Sequence, residues 1–242
     1  MRPGYQGIIV MDRLHSGAFM TFRWPRELPQ LLLLLTMFLV SMIVWADAPE
    51  SLPVHWNFMG EVDRYGGKAE ALLLVPIIGL VMYVVLLLAP RLAHATELQL
   101  GGRCTATRWA TLILLAVFHG LLLVQTRGVQ IDIARIVPAL VGILFVALGS
   151  SMGQVPPNAI MGVRTPWTLS SRAAWDASQR LGGQIFIVTG AMLILGGLLA
   201  LVWITLVAVA VLLIGVIGLI WYGYRICQSD PHRLPRGQTL LS

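Results

Sequence analysis

Six stretches of the chain stay apolar long enough to cross a bilayer, and the polar positions gather between them. The stretches are roughly Leu28–Ala46, Ala69–Ala89, Trp109–Gln125, Ile136–Met152, Gln184–Trp203 and Thr205–Tyr224. A spanning helix needs about 20 mostly apolar residues, within about 17–25. The last two stretches form one apolar run of about 40 residues. As a single helix it would reach about 60 Å, twice the hydrocarbon thickness. A turn is therefore expected near Val202–Leu206. The pattern predicts an all-α polytopic membrane protein with six transmembrane helices in one bundle.

Composition agrees with that reading. Only 12% of the 242 residues are charged and 57% are hydrophobic, where a soluble domain carries about 25% charged residues. Basic residues outnumber acidic ones, 17 to 11. No basic stretch is dense enough to track phosphates, so no direct nucleic-acid partner is expected. The basic residues instead sort by side. Thirteen lie in the two tails and in the second and fourth loops; Arg64, Lys68, Arg127 and Arg135 lie in the first and third. The positive-inside rule then places both termini in the cytoplasm and the first loop outside. A cleaved signal peptide is the competing reading of the first stretch, because Trp45–Pro49 offers an Ala-x-Ala site. Pro49 just after that site impedes cleavage, and the stretch is expected to remain as a helix. Cys104 and Cys227 both fall on the cytoplasmic side in no metal-binding spacing, so neither a disulfide nor a metal site is expected of them.

Two polar loops hold most of the chemistry. The outer one, Pro53–Lys68, reads PVHWNFMGEVDRYGGK. Trp56, Phe58 and Tyr65 suit the headgroup level, and Gly60, Gly66 and Gly67 permit turns. His55, Asn57, Glu61 and Asp63 are candidates to converge on a cationic peptide or a metal. One His among carboxylates matches no zinc spacing, so no metal or other cofactor is expected.

The inner loop, Asn158–Arg180, reads NAIMGVRTPWTLSSRAAWDASQR. Gly162 permits an unusual turn, and Pro166 holds Thr165 extended. Thr168 or Ser170 is expected to cap a short amphipathic helix over about Ser171–Leu181, lying in the inner interface. On that helix Ala174 and Trp175 share one side, while Arg172, Asp176 and Arg180 lie near the other. Arg164 beside the helix start is a candidate for a lipid phosphate or an acidic partner. Within the spans, His119 is the one ionisable side chain placed centrally, and with Gly120 it is expected to hydrogen-bond across a close helix contact. Pro76 and Pro138 are expected to kink their helices. No Ser-His-Asp constellation, Gly-x-Ser-x-Gly or His-Glu-x-x-His motif occurs, and no catalytic residue is assigned.

At these two loops the chain resembles the SdpI family of bacterial membrane proteins. The outer residues Pro53, His55, Trp56, Asn57, Gly60, Asp63, Tyr65 and Lys68 look like the N-terminal module of unknown function that these proteins share. Gly162-Val163-Arg164-Thr165-Pro166-Trp167-Thr168, then Ser170, Ser171, Trp175 and Arg180, look like the family signature. The resemblance implies residence in the bacterial inner membrane and immunity against a secreted, membrane-active peptide toxin. It further implies a cytoplasmic regulator held at the membrane. In that reading the outer residues meet the peptide, and the inner ones, with Asn158, pass the state inward. The expected organisation is a tail over 1–27, the N-terminal module over 28–89, a helical core over 90–224 and a C-terminal tail over 225–242. Two other readings are a small transporter or flippase with the loops as gates, and a metal-dependent hydrolase built on His55 and Asp63.

Overall fold

The computed structural model of the protein describes residues 24–92, 102–158, 160–235 and 237–241. Most of the expected N-terminal tail and of the second loop lies outside these residues. Six helices are long and apolar enough to cross a membrane. They are α1 (Trp24–Trp45), α2 (Lys68–Leu92), α3 (Arg103–Thr126), α4 (Ile133–Met152), α6 (Arg172–Leu199) and α7 (Val202–Ser229). The short α5 (Pro166–Ser170) sits between the fourth and fifth of them. The outer loop, for which turns but no strands were expected, contains an antiparallel hairpin of β1 (Leu52–Trp56) and β2 (Val62–Gly66).

The bundle has two three-helix halves. In the first, α1, α2 and α3 pack through Leu34, Met37, Val75, Tyr83 and Leu112. Pro76 shapes the polar link at mid-bundle. It has no N–H for the Leu72 carbonyl four residues earlier, and Ser41 Oγ of α1 donates to that carbonyl at 2.7 Å. His119 Nε2 of α3 in turn donates to Ser41 Oγ at 3.0 Å and lies 3.3 Å from the Met37 carbonyl. The expected cross-helix role of His119 is present. Gly120 makes no close contact, since a Cβ there would meet nothing within 4 Å.

The second half rests on glycine. Gly142 and Gly149 of α4 face Gly190 and Gly183 of antiparallel α6, and a Cβ on any of the four would come within 2.5–2.6 Å of the opposing carbonyl. Gly197 meets the Arg135 carbonyl in the same register. Spacing by seven keeps one stripe on the seam, and hydrogen side chains let the backbones touch, which is how helices gain packing where lipid offers no hydrophobic drive.

Two boundaries differ from the sequence reading. The turn between α6 and α7 lies at Ala200–Leu201, ahead of Val202, with Ala200 left-handed at φ 55° and its amide on the carbonyls closing α6. The short helix of the inner loop ends at Ser170 instead of starting there. Ser171 caps α6, and residues 172–181 run into the fifth span without a break. At 28 residues α6 is about 42 Å long, so its first turns project beyond the hydrocarbon.

Candidate functional site

Asn57 builds the tip of the hairpin. Its Oδ1 accepts from the Met59 and Glu61 amides at 2.9 and 3.0 Å, and its Nδ2 donates to Glu61 Oε2 at 2.9 Å. The Gly60 amide closes the turn on the Asn57 carbonyl at 2.9 Å. Gly60 is left-handed at φ 82°, a conformation that costs a glycine little. A Cβ there would sit 2.7 Å from Ala134 Cβ at the start of α4. The hairpin of the first half is thus seated on the second half.

Across the strands His55 Nδ1 donates to Asp63 Oδ1 at 2.6 Å, and Lys68 pairs with Glu50 at 3.0 Å. Arg64 pairs with Glu70 at 2.7 Å, and that hydrogen bond raises the Arg64 guanidinium above its ordinary range. Such exposed pairs are worth little to stability; they set the charge pattern of the loop. His55 and Asp63 are spent on each other, and among the described residues no three His, Cys, Asp or Glu side chains gather as a metal would require. Three apolar side chains near the hairpin tip and on β2 are exposed: Phe58 is 74% exposed, Met59 65% and Tyr65 60%.

Beneath the hairpin lies a cavity of about 460 Å³. His55, Trp56, Asn57 and Phe58 form its roof, and α4, α6 and α7 its walls, with Phe118 contributed by α3. The walls are apolar apart from Thr189 and Thr205.

The inner loop is held by its own polar residues. Asn158 Oδ1 accepts from the Ile160 and Met161 amides at 2.8 and 2.7 Å. Thr165 caps α5 from an extended conformation, and with Thr168 it forms a reciprocal capping box. Pro166 fits the first helical position, where no N–H is needed. Trp175, fully buried, donates from Nε1 to the Val155 carbonyl at 2.8 Å. Trp167 meets Tyr224 of α7 edge to face at 5.7 Å. Gly162 is left-handed at φ 93° against Gln179. Arg164, Arg172 and Arg180 are exposed on this face.

Three features escaped the sequence reading. Gln179 is fully buried and clamps Val163, accepting from its amide at 3.0 Å and donating to its carbonyl at 3.1 Å. The C-terminal tail docks on the loop: the Leu234 and Leu240 amides donate to the Ser170 and Leu169 carbonyls, both at 2.7 Å. Ser171 Oγ donates to Asp230 Oδ2 at 2.5 Å, which with the His232 amide lowers the Asp230 carboxyl below its ordinary range. Finally, Arg108 of α3 is fully buried against Glu27 of α1 at 2.9 Å, with Tyr83 of α2 donating to the same carboxylate at 3.0 Å. Charge counting placed Arg108 and Glu27 in solvent-facing segments. The available signal was an acid one turn into the first helix and an Arg one turn into the third, both at the same end of the bundle.

Comparison with known proteins finds a match at each of these two sites. Residues 154–223 match the SdpI/YfhL protein family, and residues 32–80 match a domain of unknown function, DUF1648. The first covers α5, Gln179 and the loop signature; the second covers the hairpin. Immunity protein SdpI of Bacillus subtilis (strain 168) is 27% identical over 157 residues, which is 63% of this chain and 72% of that protein. No solved structure matches significantly. Both matches fall in the expected order on a six-span bundle, and the chain is a multi-pass membrane protein similar over these segments to the SdpI/YfhL protein family.

Proposed function

We propose that the protein gives immunity against a secreted, membrane-active peptide, and that the peptide is met at the hairpin end of the bundle. The observation that carries this reading is the hairpin itself: its Asn57-built tip holds Phe58 and Met59 in the open, with Tyr65 exposed on β2. Amphipathic rings at the headgroup level are where a peptide entering the membrane would be intercepted. The similarity to an immunity protein supports the same reading. The distribution of Arg and Lys supports a hairpin end outside and both termini in the cytoplasm.

The seat of Gly60 on Ala134 couples the hairpin to α4, and the α4–α6 glycine seam leads to the inner loop. A load on the hairpin would therefore reach Arg164, Arg172 and Arg180, the face proposed to engage a cytoplasmic regulator. No catalytic step and no cofactor is part of this function. The comparisons do not favour the transporter reading. Growth of a sensitive strain under graded peptide toxin, with and without the protein, tests the proposal. Protection is expected with the wild type and is expected to fall with Phe58→Ser plus Met59→Ser at equal expression. Equal sensitivity with and without the wild-type protein, across peptides from neighbouring strains, would overturn it.

A further inference from the structure

The cavity under the hairpin has a depth and a lining that suit an apolar chain. Thr189 lies ten residues before the end of α6, about 15 Å deep, and Phe145 lies twelve residues into α4, about 18 Å deep. An extended peptide would bring an N–H and a C=O at every residue to walls that offer almost no partner. A single apolar chain has no such groups to satisfy.

One wall group asks for more than hydrocarbon. Thr189 lines the cavity and is 1% exposed, and its Oγ1 has no hydrogen-bond partner among the described residues. Buried hydroxyls are almost always satisfied. We infer that the cavity is a binding site for one lipid acyl chain that enters under the hairpin and carries an oxygen substituent part-way along, which Thr189 hydrogen-bonds. This site stands apart from the immunity reading, and a failed toxin challenge would leave it untouched.

The test uses the full-length protein in phospholipid nanodiscs and a stearate carrying a photoreactive diazirine, with labelled peptides mapped by mass spectrometry. Labelling is expected to concentrate on the wall between Ala134 and Phe145 and to be competed by excess stearate. Mid-chain hydroxystearate should compete at least threefold better than stearate, and Thr189→Val should remove that advantage. Val141→Trp, or Leu212→Trp from the opposite wall, should cut wall labelling at least fivefold. Labelling of Ile214 and Ile217, about 70% exposed on the lipid-facing side of α7, should not change and reports that the variants are folded. Labelling that simply follows exposure and ignores both tryptophans would overturn the site. Equal competition by the two acids in the wild type would overturn the role of Thr189.

Discussion

Gly60 and Ala134 touch across the two halves of the molecule: a Cβ on Gly60 would fall 2.7 Å from Ala134 Cβ. The contact joins a hairpin inserted between α1 and α2 to the first turn of α4. It depends on a residue with no side chain at φ 82°.

Gly60→Val is therefore expected to fail twice, by strain and by collision. A left-handed β-branched residue costs about 1–3 kcal/mol, and the clash adds to it. The hairpin should lift from α4 while the helices stay assembled. Limited proteolysis checks this: cleavage within residues 57–62 should speed up about tenfold or more, with the detergent-solubilised Tm nearly unchanged.

Ser41 and Pro76 should behave as a coupled pair. Ser41→Ala leaves the Leu72 carbonyl without its donor and should cost about 1–3 kcal/mol. In a Pro76→Ala background the restored helix N–H takes that carbonyl, and Ser41→Ala should cost about 1 kcal/mol less. A double-mutant cycle on unfolding free energy measures the difference. Strict additivity would show that Ser41 acts through His119 and the Met37 carbonyl and not through Leu72.

The Glu27–Arg108 pair separates burial from charge. Breaking a buried pair from one side leaves an uncompensated ion and costs about 3–5 kcal/mol. Arg108→Met is expected to destabilise by that order. Glu27→Leu added to it should recover much of the loss, because a buried pair often adds little over well-packed apolar groups. Thermal unfolding of the two variants gives the ordering.

The tail contact sets a pH window. Asp230 in the folded protein sits below the ordinary carboxyl value of 3.8, so its unfolded form binds protons first as pH falls. Its contribution is fully present above about pH 5 and is lost as pH drops through the depressed value. Tail docking should be flat from pH 5 to 8 and weaken only below about pH 4. Ser171→Ala removes the largest cause and should move that loss upward in pH. Hydrogen exchange at the Leu234 and Leu240 amides reports it.

Much of this architecture was legible in the chain. Uniform apolar runs fix helix number because lipid forbids unpaired backbone, and the extended Thr165 before Pro166 was legible, although the helix it caps was expected five residues later. The loop motifs also pointed to the family. The hairpin was hidden because Asn57 and Gly60 form a turn only once Asn57 satisfies the Met59 and Glu61 amides. Gln179 and Arg108 were hidden for a related reason. Polar residues at helix ends read as solvated until tertiary packing covers them, and nothing local distinguishes Arg108 from the exposed Arg172. The cavity depends on how two halves meet, which periodicity within one helix does not encode.

The central claim is that the hairpin end confers immunity. Its most direct test is survival of sensitive cells under a titrated peptide toxin, comparing the wild type with Gly60→Val, with Phe58→Ser plus Met59→Ser, and with Arg164→Gln, at matched membrane levels. The account predicts protection by the wild type and by Arg164→Gln, with a shift of at least tenfold toward sensitivity in both hairpin variants. Undiminished protection by both hairpin variants would contradict it.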